Sequence, residues 1–158
     1  MKFGGTSVGT PQRMREVVGL ITASNEPTFV VLSAMSGTTN TLVEISDYLY
    51  KKNPEGANNT INKLERKYLE HVDNLYATEA MKEEMNRFIY DEFKYLRSLT
   101  KTHFTSFEEK IILAQGEIIS TNMVTAYLKE SGVKTLLISA LDFMRTDKNA
   151  EPDNHYIR

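Results

Sequence analysis

The sequence predicts an α/β fold whose strands are of the buried, parallel type. Stretches with apolar residues at helical spacing alternate with short apolar runs. Residues 28–33 form a continuous, largely apolar run after a turn signal, which is typical of a strand buried on both faces. The order along the first third of the chain is strand, helix, strand, helix, and this order indicates an α/β architecture.

The first predicted helix begins after the opening strand. Thr10 reads as its N-cap, and Pro11 takes the first helical position. Apolar residues then recur at i, i+3, i+4 and i+7 and predict one buried face: Met14, Val17, Val18 and Ile21. The polar residues 24–27 end this helix. After the strand at 28–33, a small polar loop over 34–40 leads into a second helix, marked by Leu42, Ile45 and Leu49.

The middle of the chain predicts a helical hairpin, inserted between sheet elements over about residues 54–100. Residues 53–56 (Asn-Pro-Glu-Gly) are expected to break the chain before it. One amphipathic stripe consists of Ile61, Leu64, Tyr68, Val72 and Leu75. The other contains Met81, Met85, Phe88 and Leu96. We interpret this aromatic and methionine content as ordinary helix packing.

The last third of the chain predicts one long helix and one more strand. Ser106 as N-cap and Glu109 three residues later fit a capping box, and Gly132 ends the helix that follows. Residues 134–139 (Lys-Thr-Leu-Leu-Ile-Ser) are predicted to form the next buried strand. The remainder, 141–158, is polar and predicted to be irregular.

Composition excludes several classes of function. The 158 residues suffice for one domain with a real core, or for part of a larger domain. A net charge of −2 without a basic run gives nucleic-acid binding no electrostatic support. The absence of cysteine removes disulfide frameworks, cysteine nucleophiles and thiolate metal sites. No apolar stretch approaches ~20 residues and no signal-peptide core is present, so we expect a cytoplasmic protein without a membrane partner.

The opening turn of the chain suits a phosphate group. Gly4 and Gly5 let backbone N–H groups approach an anion without Cβ interference. Lys2 supplies a movable positive charge for phosphoryl oxygens, and Thr6 and Ser7 add short donors. The spacing matches neither the Walker A nor the dinucleotide-binding glycine pattern. An ordinary glycine-rich strand-to-helix turn therefore stays an equal alternative on these residues alone.

Two further features favour a ligand site. The loop 33–40 follows the second predicted strand, so it is expected beside the opening turn, at the sheet edge where α/β proteins bind ligands. Without the opening turn, an ordinary loop with Asn or Thr as helix N-cap would be the better interpretation. Gly116 inside a helix costs about 1 kcal/mol relative to alanine, which indicates close approach of a backbone or ligand. Glu117 on this apolar stretch needs a partner, and a substrate ammonium could supply it. On periodicity alone, a solvated surface glutamate is the better interpretation.

The three histidines give no metal site. His71, His103 and His155 are scattered without metal-ligand spacing, and we interpret them as structural or surface residues. We expect any metal to be Mg²⁺ carried by a nucleotide, rather than an ion held by protein side chains.

Four motifs in the chain resemble those of the aspartokinases, the ATP-dependent aspartate kinases. In family order they are residues 2–8, 30–40 and 116–121, and then 143–147 with 150–153 (KFGGTSV, VVLSAMSGTTN, GEIIST, FMRTD and AEPD). The last pair resembles the lysine-sensitive, single-function type. Four motifs in family order over nearly the whole chain make the resemblance specific.

The resemblance implies an amino-acid-kinase fold, with a mostly parallel sheet sandwiched between helices. It implies transfer of the γ-phosphoryl group of ATP to the side-chain carboxylate of L-aspartate, giving 4-phospho-L-aspartate. This is the first step toward lysine, threonine and methionine. ATP with Mg²⁺ and L-aspartate are the implied ligands, and a homo-oligomer is the implied assembly.

The resemblance also implies roles for individual residues. Phosphate and ATP binding would fall on Lys2, Gly4, Gly5, Thr6 and Ser7. Lys2 would also be catalytic, by stabilising charge on the transferring phosphoryl group. Ser33 and Thr39 would contact the aspartate, and Glu117 would hold its α-amino group.

The chain also departs from the family pattern. The nucleotide half of the kinase domain, with its Arg-Gly-Gly-Ser-Asp segment, and the ACT regulatory domains have no counterpart in residues 1–158. We therefore expect 1–158 to be the amino-terminal portion of an aspartate kinase catalytic domain, with little or no turnover alone. One alternative is another acid kinase of the same fold, such as a glutamate or acetylglutamate kinase, against which residues 2–7 argue. The other is a non-catalytic, self-associating segment.

Overall fold

The computed structural model describes residues 1–24, 26–147 and 151–153, and these form two strands and six helices. Ala150 of the fourth motif and His155 lie outside the described residues. The elements are β1 (Lys2–Phe3), α1 (Pro11–Ile21), β2 (Val31–Leu32), α2 (Thr38–Tyr50), α3 (Pro54–Leu75), α4 (Glu79–Leu99), α5 (Ser106–Glu130) and α6 (Ala140–Phe143). Within these ranges, no helix combines the length and apolar character that a membrane span requires.

The two strands are parallel neighbours joined by a helical crossover. Lys2 lies opposite Val31 and Phe3 opposite Leu32. The ladder continues with the Ser33 N–H, which donates to the Phe3 carbonyl at 3.1 Å. α1 connects the strands, as a parallel pair requires. The predicted α/β class is therefore confirmed, in a strongly helical form.

The prediction of a strand buried on both faces over 28–33 is wrong. The strand contains only Val31 and Leu32. Leu32 is 9% exposed, whereas Val31 is 48% exposed and Phe29 67% exposed. One face packs against helices, while no described element covers the other face. A continuous apolar run shows which residues are apolar, but it does not show which of them other elements of the structure cover.

The predicted strand at 134–139 is absent from the described structure. Residues 134–138 line a cavity of about 690 Å³ together with residues around β2. Within the described residues, this segment makes no ladder hydrogen bond to β1 or β2. The apolar side chains are exposed, Leu136 by 81% and Ile138 by 49%. The sequence pattern is that of a strand, but in the described structure this segment has no strand partner.

α1 forms as predicted. The Thr10 hydroxyl accepts a hydrogen bond from the Arg13 N–H at 3.2 Å, and Pro11 occupies the first turn. The four residues of the predicted stripe are all buried: Met14, Val17, Val18 and Ile21. The prediction succeeds because the cap and the periodicity are both local properties of the sequence.

The predicted helical hairpin is present as α3 and α4. Every residue of the first predicted stripe is buried: Ile61, Leu64, Tyr68, Val72 and Leu75. Tyr68 packs against Phe93 of α4 with ring centroids 5.8 Å apart. The predicted break at 53–56 lies too late in the chain. Asn53 already caps α3 by accepting from the Gly56 N–H at 2.9 Å, and the reversal occurs at Lys52, with φ 54°.

The capping box of α5 is one residue earlier than predicted. Thr105 is the N-cap, and Glu108 completes the box by accepting from the Thr105 N–H at 2.9 Å. Ser106 is already the first helical residue. Glu109 instead accepts a hydrogen bond from the Tyr50 hydroxyl at 2.8 Å, which ties α5 to α2. The capping box could start at either of two positions, because a threonine and a serine are adjacent and two glutamates follow them. The extended backbone at Thr105 selects the earlier position.

The end of α5 secures the start of α4. The Glu130 carboxylate accepts hydrogen bonds from the N–H groups of Ala77 and Thr78 and from the Thr78 hydroxyl, at 2.7 to 3.1 Å. Burial alone would raise the pKa of Glu130, but the hydrogen bonds from Thr78 and Ala77 together outweigh burial and lower that pKa below its ordinary value. The ionised carboxylate therefore stabilises the fold.

We expect Glu130→Gln to lower the free energy of unfolding at neutral pH by about 1 kcal/mol, allowing for solvent screening. A glutamate with a lowered folded-state pKa contributes stability above its unfolded pKa and loses it as pH falls through the folded value. The difference from wild type, measured by urea unfolding across the acid range, should therefore shrink as pH falls. Exposed Glu83 of α4 supplies the control, Glu83→Gln. A difference that is constant with pH would contradict this role of Glu130.

Candidate functional site

A cavity of about 400 Å³ lies at the carboxyl ends of both strands. It is lined by Gly5, Thr6, Ser33, Ala34, Met35, Ser36, Gly37, Thr39, Asn40 and Glu117. Two loops and one helix contribute these residues: the turn after β1, the loop between β2 and α2, and the middle of α5. This is the sheet edge at which the sequence predicts a ligand site.

Most of the predicted site residues meet at this cavity, although they come from distant parts of the chain. Those on its wall are Gly5, Thr6, Ser33, Thr39 and Glu117. The other three, Lys2, Gly4 and Ser7, lie in or next to β1 but outside the lining. Lys2 is exposed, and the Ser7 N–H closes the opening turn by donating to the Gly4 carbonyl at 2.9 Å.

The two loops are fixed side by side, as expected from their positions after parallel strands. The Ser36 N–H donates to the Gly5 carbonyl at 3.0 Å. A Cβ at Gly5 would lie 2.6 Å from the Ala34 carbonyl oxygen, so only glycine allows this approach. Arg13 of α1 supports the first loop by donating to the Thr6 carbonyl at 2.6 Å. The loops therefore form one wall and not two independent turns.

α5 approaches this wall at Gly116. A Cβ at Gly116 would lie 2.7 Å from the Ala34 Cβ and 3.2 Å from the Thr38 Cγ2. The close backbone approach predicted from a glycine inside a helix is thus confirmed. The next residue, Glu117, accepts a hydrogen bond from the Ala34 N–H at 3.3 Å. Its side chain is exposed, but the carboxylate lines the cavity and is anchored to the second loop.

The amino-terminal end of α2 opens into the cavity. Its N-cap is Gly37, with φ 82°, and no side chain caps the helix. The Thr38 N–H donates to the Met35 carbonyl at 2.9 Å, whereas the N–H groups of Thr39 and Asn40 have no acceptor among the described residues. Unsatisfied N–H groups at a helix start carry partial positive charge and attract anions.

A buried tyrosine supports the start of α2 from below. The Tyr68 hydroxyl lies 2.9 Å from the Thr38 Oγ1, and both side chains are fully buried. Burial raises the pKa of Tyr68 to about 12, and the nearby Glu117 charge adds to this rise while the Thr38 hydrogen bond opposes it. Tyr68 therefore stays neutral and acts as a fixed hydrogen-bonding partner beneath the site.

Sequence reasoning missed two polar residues of α3 that contact the loops. Lys67 Nζ donates to the Ser36 carbonyl at 3.1 Å. The ring nitrogens of His71 lie 2.8 Å from the Lys67 carbonyl and 3.4 Å from the Gly9 carbonyl. The available signal was their i, i+4 spacing beside the buried stripe of α3, which places both on one helix face.

The site combines a carboxylate on one wall with open helix N–H groups on another. Such an arrangement suits a small ligand that carries both an ammonium and an anionic group. Among residues 1–24, 26–147 and 151–153, no cluster of three or more histidine or acidic side chains could hold a metal ion.

Comparisons with known proteins give a consistent result. The model of the family described as "Amino acid kinase family" matches residues 1–157. Aspartokinase 1 (chloroplastic) of Arabidopsis thaliana is 31% identical, over 93% of this chain and 26% of that protein. Aspartokinase of Chlamydia pneumoniae is 30% identical, over 92% of this chain and 30% of that protein. The chain thus spans less than a third of the length of these two relatives.

A solved structure shares the fold. Aspartokinase III of Escherichia coli, crystallised in complex with aspartate and ADP, superposes with a TM-score of 0.81. The match covers 99% of this chain and 35% of that chain, at 24% sequence identity.

Proposed function

This chain belongs to the amino acid kinase family, and we propose that it forms the aspartate-binding part of an aspartate kinase. The resemblance to aspartokinases, drawn from four motifs, is confirmed by the relatives. The expected amino-acid-kinase fold is also confirmed, by the match to the family model and by the solved structure that superposes on this chain. One observation carries the proposal. The cavity brings Ser33, Thr39 and Glu117 together at one sheet edge. Glu117 also accepts a hydrogen bond from the Ala34 N–H, although the two residues are 83 positions apart in the sequence.

The proposed reaction is transfer of the γ-phosphoryl group of ATP to the side-chain carboxylate of L-aspartate, giving 4-phospho-L-aspartate and ADP. The attacking carboxylate is already ionised at neutral pH, since an aspartate side chain has a pKa of about 3.9. A strong general base is therefore unnecessary. The protein contributes by positioning the substrates and by stabilising charge on the transferring group.

The aspartate would be held across the cavity by residues from two segments. Glu117 would pair with the α-ammonium group, because one carboxylate oxygen is fixed by the Ala34 N–H and the charge faces the cavity. The hydroxyl groups of Ser33 and Thr39 would donate to substrate oxygens. The open N–H groups of Thr39 and Asn40 would face a substrate carboxylate.

The phosphate groups of ATP would lie over the turn after β1. Gly4 and Gly5 would donate backbone N–H groups, and Thr6 and Ser7 would add hydroxyl donors. Lys2 would reach the transferring phosphoryl group with its ammonium. Mg²⁺ would accompany the nucleotide, as the family resemblance implies.

The activity is proposed for the full-length protein, since the chain spans only part of the length of its relatives. We place the reaction in lysine, threonine and methionine biosynthesis, in the cytoplasm and in a homo-oligomer, on the strength of the family resemblance. A glutamate or acetylglutamate kinase of the same fold is the alternative enzyme.

A second candidate applies to the 158-residue segment by itself, namely self-association. Apolar side chains of the segment after α5 are exposed, including Leu136 by 81% and Leu141 by 64%. Exposed apolar surface of this kind tends to associate. Sedimentation of the segment over a range of concentrations distinguishes a monomer from an associating species.

We expect the full-length protein to form aspartyl hydroxamate from ATP, L-aspartate and hydroxylamine. Glu117→Gln should lower kcat/KM for aspartate by about ten- to a hundred-fold, because it removes a charge-assisted hydrogen bond. The melting temperature should change little, since the amide oxygen can still accept from the Ala34 N–H. Glu83→Gln, at an exposed position on α4, is the matched control.

The outcomes separate the possible roles of Glu117. Unchanged aspartate kinetics in the Glu117→Gln variant would remove it from substrate binding. A lowered melting temperature would instead indicate a packing role. Absence of hydroxamate from the wild-type protein, or preference for glutamate over aspartate, would contradict the proposed function itself.

Lys2→Ala in the full-length protein should lower kcat by about 10²–10³-fold, with a much smaller change in KM for aspartate. A charge directed at the transferring phosphoryl group acts mainly in the transition state. Lys51→Ala, at an exposed lysine after α2, is the control. A near-normal kcat in the Lys2 variant would exclude this residue from the mechanism.

A further inference from the structure

One helix of the hairpin, α3, contacts both loops of the site. Lys67 Nζ donates to the Ser36 carbonyl at 3.1 Å. The Tyr68 hydroxyl lies 2.9 Å from the Thr38 Oγ1. His71, one turn further on, lies 3.4 Å from the Gly9 carbonyl in the loop that follows β1. Packing of apolar stripes does not require any of these polar contacts, so α3 does more than cover the core.

Lys67 is the charged member of this set. Its ammonium lies over the turn that starts α2, 3.9 Å from the position of a Cβ on Gly37. Ion pairs in the described residues join Lys82 to Glu79 and Arg97 to Glu65, and none involves Lys67. The partner of Lys67 is thus a neutral carbonyl, and its positive charge is not cancelled by a carboxylate.

The turn that Lys67 holds is conformationally demanding. Gly37 adopts φ 82°, a left-handed backbone that initiates α2 without a side-chain cap. Thr39 and Asn40 follow directly, and both line the cavity. A change in the Ser36 or Gly37 backbone dihedral angles that is not compensated nearby would redirect these N–H groups, so an anchored Ser36 carbonyl helps to hold their direction.

We propose that Lys67 is a positioning residue for the anionic group of the amino-acid substrate. It anchors the Ser36 carbonyl, keeps the start of α2 aimed into the cavity, and adds positive charge behind the carboxylate position. This inference rests on the proposed function for its kinetic consequence. It also makes the α3–α4 hairpin part of the machinery that sets substrate affinity.

The kinetic test compares Lys67→Met, which keeps the aliphatic stem, with Lys67→Arg, which keeps the charge. Lys63→Met, at an exposed lysine one turn earlier on α3, is the control. In the full-length protein, Lys67→Met should raise KM for aspartate about ten-fold and change kcat and KM for ATP much less. Lys67→Arg should restore most of the affinity. Aspartate KM values that are equal in Lys67→Met and Lys63→Met would overturn the proposal.

A second measurement is independent of catalysis. Hydrogen exchange of the 158-residue chain reports the amides of Thr38 and Thr41, which donate to the Met35 and Gly37 carbonyls. Lys67→Met should accelerate exchange of these amides, and Lys63→Met should not. Unchanged exchange would overturn the anchoring role. If the full-length protein makes no aspartyl hydroxamate, the proposed function fails, while this measurement still decides whether Lys67 anchors the start of α2.

Discussion

The site depends on one close contact, between Gly116 of α5 and Ala34 in the loop after β2. A Cβ on Gly116 would lie 2.7 Å from the Ala34 Cβ, closer than two non-bonded carbon atoms can approach. Because the glycine has no side chain, α5 can lie directly against the loop. The adjacent Glu117 then reaches the Ala34 N–H. Glycine inside α5 lowers the stability of the helix by about 1 kcal/mol relative to alanine. In return, α5 lies close enough to close one side of the cavity.

The remaining walls follow from that contact. Thr38 and Leu42 of α2 also pack against Gly116, so the same approach sets the position of α2. The open start of α2 therefore faces the carboxylate of Glu117 across the cavity. The first loop joins through the hydrogen bond from the Ser36 N–H to the Gly5 carbonyl, and α3 supports the second loop from outside through Lys67. A carboxylate on one wall and open helix N–H groups on another suit a ligand that carries both an ammonium and an anionic group.

Local sequence signals predicted the helices well and the strands poorly. The stripe from Met14 to Ile21 and the cap at Thr10 are encoded within a few residues, so they could be recognised directly. A strand is completed by hydrogen bonds to a neighbouring strand, and residues 134–139 have no such neighbour in the described structure. The predicted capping box was one residue late because Thr105 and Ser106 can both act as N-caps.

The candidate site was predictable to the extent that its residues follow strand ends or carry a local anomaly. Ser33 and Thr39 follow β2, and Gly116 is an anomaly inside a helix. Lys67 neither follows a strand end nor breaks a local pattern. Its contact with Ser36 spans 31 positions and depends on how α3 packs against the loop. Lysines on an amphipathic helix usually lie in solvent, and only tertiary structure identifies the one that reaches a loop.

The most direct test of this account compares two glycines that both lie inside helices. At Gly19 of α1, no neighbouring atom lies within 4 Å of the position that a Cβ would occupy, whereas a Cβ at Gly116 would meet Ala34. Helix propensity alone predicts that alanine stabilises both positions by about 1 kcal/mol. We expect the free energy of unfolding, measured by urea denaturation, to rise for Gly19→Ala and to fall for Gly116→Ala. A rise of similar size for both variants would contradict the close contact on which the site depends.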